Sequence, residues 1–279
     1  MTLRTLLLTM LAMLALAGNS LLCRVALRES QIDPASFTAL RLAAGALVLW
    51  LLLLIRRQHA KGSGNWFGAI ALFGYAAAFS YAYVELDAGA GALLLFGAVQ
   101  LSMVSWGLIQ GERLSRLQIG GMIMAAGGLT ALLVPGTSTP SASSSLLMVI
   151  AGSAWGAYSL LGKRTPDPLA ATAGNFIRTL PMVAVLCLIA WNDAEWDKAG
   201  VIYALLSGGL ASGIGYAIWY AAIPGLAAVQ AASVQLSVPL ITTLGGILLL
   251  GEAMTGRLLA AGLAILGGII LVLRFKSRT

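Results

Sequence analysis

Side chains suited to acid–base, nucleophilic or metal chemistry are few in this chain and poorly placed for it. The single histidine, His59, sits in a basic stretch with Arg56, Arg57 and Lys61. The ten carboxylates (Glu29, Asp33, Glu85, Asp87, Glu112, Asp167, Asp193, Glu195, Asp197 and Glu252) all fall at the ends of long apolar runs or between them. Cys23 and Cys187 stand alone in apolar surroundings, without the spacing of a disulfide framework or a metal site. No catalytic residue, metal or cofactor is expected. The apolar runs do hold neutral polar and aromatic side chains, whose chemistry is binding rather than bond-making. Rings stack on apolar bodies, while amides and hydroxyls orient a polar end.

The most telling of these are Gln100 and Gln235, each within the tetrapeptide Val-Gln-Leu-Ser, 135 positions apart. An amide deep in an apolar run needs a polar partner or a wet cavity. Trp155 and Tyr158, spaced i,i+3, share a helix face. With Tyr75, Tyr216, Asn19 and Ser233 they complete the candidate substrate-binding set: Gln100, Gln235, Trp155, Tyr158, Tyr75, Tyr216, Asn19 and Ser233. Plainer roles compete. Trp66, Tyr83, Trp106, Trp191, Trp196 and Tyr220 suit membrane-interface anchors, and Asn19 and Ser102 suit hydrogen bonds to neighbouring helices. Arg41 and Arg178 lie two or three turns from a helix end, where an arginine can snorkel, and a structural role is favoured for both.

The elements that must position these residues follow from composition. Hydrophobic residues make up 59% of the 279 positions and charged residues 10%, and mean hydropathy is +0.91. A soluble enzyme is excluded on that ground, and the apolar surplus faces lipid. The net charge of +7 is gathered in short clusters between apolar runs, which reads as topology signals rather than a nucleic-acid stripe. A crossing helix needs about 20 apolar residues. Uncharged or nearly uncharged stretches at 5–23, 35–55, 62–84, 88–111, 169–191 and 258–273 each make one span. The stretch 117–162 makes two, divided by 135–145, and 199–251 makes two, divided by Pro224-Gly225, for ten in all. The first run, ending near Ala15-Leu16-Ala17, also resembles a cleavable signal, but it has a counterpart in the second half. With the N-terminus in the cytoplasm, eleven Lys and Arg fall on the inner side (among them Arg4, Arg113, Arg116, Lys163, Arg164, Arg274, Lys276 and Arg278). Only Arg28, Lys198 and Arg257 fall outside, so both termini are expected to be cytoplasmic.

The glutamine pair belongs to a longer repeat. Asp33-Pro34 recurs as Asp167-Pro168 and Ala17-Gly18 as Ala151-Gly152, both at an offset of 134. Gly111-Glu112 recurs as Gly251-Glu252 and Gly127-Gly128 as Gly267-Gly268, both at 140. Order is kept and offsets drift slowly, the mark of an internal duplication. The expected division is a first five-helix repeat at 1–134, a linker loop at 135–145 and a second repeat at 146–279. Five spans per half force the second copy to sit upside down, an arrangement typical of secondary transporters with a midplane site. Only nine residues follow Ser102 up to Gly111, against fourteen from Ser237 to Gly251, so the fourth helix is expected to end early or bend. Pro181 and Pro239 are expected to interrupt helices 7 and 9, with a hinge at Pro239.

Asp-Pro opening the second helix of each half and Gly-Glu closing the fourth resemble the EamA branch of the drug/metabolite transporter superfamily. Arg41, in DPASFTALRLAAG, matches an arginine common in that family, while the second half has Asn175 there and Arg178 one turn later. The resemblance covers nearly the whole chain and is greatest to bacterial aromatic amino-acid exporters. It implies an all-α integral membrane protein of ten transmembrane helices, with helices 1, 3, 4, 6, 8 and 9 lining a central cavity. The expected function is export of neutral aromatic or large apolar amino acids across the inner membrane by alternating access. Absence of an acid inside the spans argues against an embedded-carboxylate antiport mechanism. A multidrug or nucleotide-sugar carrier is the alternative, the latter disfavoured because the midplane is expected to lack cations. A lipid-processing enzyme is the alternative from another class. Expected partners are the small-molecule solute and lipid, not nucleic acid, and a monomer suffices.

Overall fold

A computed structural model describes residues 2–57, 63–111, 114–133, 141–162, 165–226 and 234–274, and among these the regular elements are all helices joined by short turns. The ten helices are α1 (Leu3–Glu29), α2 (Pro34–Ile55), α3 (Trp66–Tyr83), α4 (Ala88–Ile109), α5 (Arg116–Leu133), α6 (Ala142–Gly162), α7 (Pro168–Ile189), α8 (Lys198–Ala222), α9 (Ser237–Leu250) and α10 (Gly256–Arg274). Seven of them (α1, α2, α4, α6, α7, α8 and α10) are long and apolar enough to cross a membrane. Helices α3 and α5 have 18 residues each and α9 has 14. Large apolar side chains such as Phe67, Leu188, Leu248 and Leu263 point outward, as they do on helices solvated by lipid.

The repeated dipeptides do the same local work twice. Asp33 caps α2 through the Ala35 and Ser36 amides, at 2.9 and 3.0 Å, and Asp167 caps α7 through the Ala170 amide at 3.1 Å. In each case proline follows at the first helical position, where its missing N–H costs nothing. Gly111 and Gly251 end α4 and α9 with φ of +89° and +64°, a left-handed conformation that a side chain resists. In the paired Val-Gln-Leu-Ser copies, each serine hydroxyl donates to the valine carbonyl three residues back: Ser102 to Val99 at 2.9 Å and Ser237 to Val234 at 2.7 Å.

Packing repeats as well. Helices α3 and α4 lie on α6, and their counterparts α8 and α9 lie on α1. Helix α2 packs against α8 as α7 packs against α3, while α2–α7, α4–α9 and α5–α10 are each packed on their own counterpart. Exchanging the two halves therefore preserves the neighbours. The α5–α10 pair approaches closely at glycine: a Cβ on Gly121 would lie 2.6 Å from the Gly268 carbonyl oxygen, and Gly268 meets Gly121 in return.

Several expectations need correction. Helix α4 neither ends early nor breaks, running 22 residues to Ile109 with its Val-Gln-Leu-Ser in mid-helix. The second copy differs instead, because the turn at Leu236 places that tetrapeptide at the start of α9. Pro239 is consequently the third residue of α9, within the first turn, where its missing N–H breaks no helical hydrogen bond, and the helical run is interrupted just before it at Leu236. Pro181 stays inside an unbroken α7. Helix α6 begins at Ala142, within the expected linker, since Ser141 caps it by accepting from the Ser144 amide at 3.2 Å. His59, Lys61, Glu112, Arg113, Lys163, Arg164, Gln230, Ser233, Lys276, Arg278 and the linker up to 140 lie outside the described residues.

Candidate functional site

Where the two halves meet, aromatic side chains from both close into one cluster. The Trp155 ring of α6 lies 4.8 Å from Tyr75 of α3, 5.4 Å from Tyr158 one turn on, and 5.4 Å from Tyr216 of α8. Tyr216 also meets Phe176 of α7, edge on, at 6.2 Å. Such tilted and edge-to-face pairs are the favoured geometries for aromatic contacts. Tyr75, Tyr158 and Tyr216 are buried and Trp155 half-buried.

Polar groups run through the cluster. The Tyr75 hydroxyl accepts from Asn19 Nδ2 at 3.3 Å and from Arg41 Nη2 at 3.0 Å. Asn19 Oδ1 in turn accepts from the Ser207 hydroxyl at 2.7 Å. Ser207 belongs to a π-helical segment, Leu206–Ile214, set within α8. Glycine at 208 lets that segment press directly on the Arg41 backbone. A π segment is an uncommon irregularity, often found beside functional sites. Beyond the rings, Thr172 Oγ1 joins the hydroxyls of Tyr158 and Tyr220 at 3.2 and 3.0 Å. Tyr220 is half-buried and held by this hydrogen bond. Tyr83 is internal: it is fully buried, its ring 4.7 Å from Phe79 and its hydroxyl donating to the Ala88 carbonyl at 3.3 Å.

Arg41 departs most from expectation. Its side chain does not snorkel; the residue is 2% exposed, with the guanidinium 4.9 Å from the centre of the Phe79 ring and 5.2 Å from that of Tyr75. Nη1 has no hydrogen-bond partner among the described residues. The cluster thus carries a fixed positive charge, where neutral side chains alone were expected. The sequence position, seven residues into α2, left room for snorkelling; packing of α2 against α8 removes it. Arg178 does take the structural role expected of it, donating from Nη1 to the Ser63 and Gly174 carbonyls at 2.6 and 2.9 Å. Asn175, the counterpart of Arg41, accepts from the Asn65 amide at 2.8 Å and fixes the entry to α3.

Arg24, on the same helix as Asn19, is buried too, but it is fully engaged. It donates to Asp87 at 3.0 Å, to Glu252 at 3.4 Å and to the carbonyls of Tyr83 and Val84 at 3.0 and 3.1 Å. Glu252 also accepts from the Ala88 amide at 2.8 and 2.9 Å, capping α4 from the far half of the chain. Its side chain is 8% exposed, so one carboxylate is buried after all, though at a helix end and paired with a cation. Sequence reasoning missed this clasp; its only trace was the Gly-Glu repeat and an arginine just past the first span.

Of the predicted set, the fold brings Asn19, Tyr75, Trp155, Tyr158 and Tyr216 together. Gln100 and Gln235 are half-buried on α4 and just before α9, two elements packed on each other, and neither amide hydrogen-bonds to a described residue. Ser233 is outside the described residues.

Comparison with known proteins agrees with this architecture. The sequence pattern of the EamA-like transporter family matches residues 3–134 and again 142–274. An uncharacterized protein of Pseudomonas aeruginosa is 59% identical over 271 residues, covering 97% of this chain and 94% of its own. An uncharacterized transporter of Archaeoglobus fulgidus is 25% identical over 263 residues, covering 89% of this chain and 90% of that one. The uncharacterized transporter YoaV of Bacillus subtilis is 24% identical over 257 residues, covering 86% and 87%. One solved crystal structure shares the fold with a TM-score of 0.66 at 20% identity, over 98% of this chain and 99% of its own. The chain belongs to the EamA-like transporter family, a family of ten-helix membrane transporters.

Proposed function

We propose that this membrane transporter exports small metabolites with a large apolar or aromatic body, neutral amino acids foremost, by alternating access around the aromatic cluster. The observation that carries the reading is the meeting of Tyr75, Trp155, Tyr158 and Tyr216 from both halves at one point. An aromatic body exchanges favourably with such rings, and a site shared by two packed halves changes when the halves move against each other. The excess of Lys and Arg in alternate loops supports an inner-membrane protein with both termini in the cytoplasm. Each half is taken as one repeat, and nothing in the reading needs more than one copy of the chain. Substitution of a lipid-processing enzyme for this reading is ruled out by membership of a transporter family.

Arg41 gives weight to a second reading, a carrier of anionic metabolites on the same fold. Purified protein in liposomes, assayed for uptake of tryptophan, phenylalanine, threonine and glutamate with and without a pH gradient, tests both. Uptake of tryptophan and phenylalanine in preference to glutamate is expected. Failure to move any neutral amino acid overturns the substrate class, and glutamate uptake alone favours the second reading.

A further inference from the structure

We infer that Arg41 is the anchor for a carboxylate on the transported molecule, and that the central site recognises an amphipathic monocarboxylate whose ammonium group, if any, is dispensable. This rests on the reading above, that aromatic-bodied solutes are carried.

The first ground is the state of the guanidinium itself. An arginine does not shed its proton in a protein, and an unpaired buried charge is costly. Arg41 is 2% exposed, gives Nη2 to the neutral Tyr75 hydroxyl and leaves Nη1 without a partner. The flanking faces of Phe79 and Tyr75 offset part of that cost through cation–π attraction. They do not supply an acceptor for the remaining N–H groups.

The second ground is that the described acids are committed elsewhere. Asp87 and Glu252 hold Arg24, Glu85 accepts from Ser144, and Glu29 pairs with Arg28. Asp33, Asp167 and Asp197 cap α2, α7 and α8. Asp193 and Glu195 lie in the exposed segment after α7. Among the described residues no acid neutralises Arg41, so the countercharge is a mobile one.

The third ground is fit. A guanidinium fork matches a planar carboxylate with two parallel hydrogen bonds. Tyr75, whose hydroxyl oxygen already accepts from Arg41 and Asn19, keeps its own hydrogen to donate to a bound anion. Arg24 and Arg178 are engaged with protein acceptors, which leaves one cation in the cluster and favours a single negative charge over a phosphate dianion. Among the described residues nothing acidic is present for an ammonium, which would meet ring faces and neutral oxygens.

Three labelled probes share one phenylethyl body and differ in charge: 3-phenylpropionate, phenylalanine and 2-phenylethylamine. Uptake into liposomes holding the full chain is expected for the first two and not for the amine. Arg41→Gln is expected to reduce uptake of both carboxylates about tenfold or more, the loss of one charged hydrogen bond of 1.5–3 kcal/mol. Arg41→Lys, which keeps the charge and loses the fork, retains carboxylate preference at a reduced rate and serves where the glutamine variant does not fold. In detergent, 3-phenylpropionate should raise the melting temperature of the native protein and not of Arg41→Gln. Amine uptake equal to that of 3-phenylpropionate, or full carboxylate uptake by Arg41→Gln, overturns the inference. No uptake of any probe, with the melting shift intact, overturns the transport of aromatic solutes and leaves Arg41 as an anion site. No uptake and no shift overturn both.

Discussion

Two arginines on adjacent helices are buried to the same degree and are treated in opposite ways. Arg24 is saturated: two carboxylates and two carbonyls take its donors, and through Glu252 it joins the first half of the chain to the second. Arg41 has one neutral hydroxyl and an idle nitrogen. Burial alone therefore does not distinguish a structural charge from a functional one; the count of satisfied donors does. A stabilising arginine is surrounded by acceptors, whereas one held for a ligand is left short of them, and the fold bears the cost in the empty state.

The two repeats show the same divergence in different residues. Asp33 and Asp167, Gly111 and Gly251, and the two serines of Val-Gln-Leu-Ser keep their local contacts in both copies. Arg41 and its counterpart Asn175 do not, since one faces the centre and the other pins a loop. The local contacts of the scaffold recur in both halves, and those of the site do not.

The sharpest way to break the contrast is at the clasp. Glu252→Ala strands the buried Arg24 charge and uncaps α4, so a loss of about 3–5 kcal/mol is expected, read as a large fall in melting temperature in detergent. Tyr75→Phe takes from Arg41 its one hydrogen-bond acceptor among the described residues and one from Asn19, and about 1–3 kcal/mol of stability should go with it. Gln100→Leu and Gln235→Leu remove half-buried amides that no described residue holds. Stability should change by no more than about 0.5 kcal/mol while uptake falls severalfold, and unchanged uptake would remove both from the solute path. The smallest effect belongs to Glu85, whose carboxyl is held below its usual range by the Ser141 and Ser144 hydroxyls. A depressed carboxyl contributes at neutral pH and loses its contribution as pH falls through the lowered value. Acid should therefore loosen the start of α6 slightly, a pH dependence that Glu85→Gln abolishes in melting curves.

Much of this was legible in the sequence. The Asp-Pro caps, the left-handed glycines and the paired tetrapeptides announce themselves because capping and positive φ are local requirements. The aromatic members of the site were legible for a related reason: a ring or amide in an apolar run stands out. Arg41 was misjudged because depth along a helix does not tell which neighbour covers it, and that depends on how α2 meets α8. The clasp was illegible for the same reason, since its members at 24, 87 and 252 are distant in sequence and unremarkable singly. The course of α9 around Leu236 depends on packing as well, which residue spacing does not encode.

The most direct test of the contrast is a paired measurement of melting temperature for Arg24→Leu and Arg41→Leu in the same detergent. A collapse is expected for Arg24→Leu, because Glu252 is left buried without its cation, and a melting temperature equal to or above that of the native protein for Arg41→Leu, because an unpaired buried charge has been removed. A fall for Arg41→Leu as large as that for Arg24→Leu would contradict the contrast and make both arginines structural.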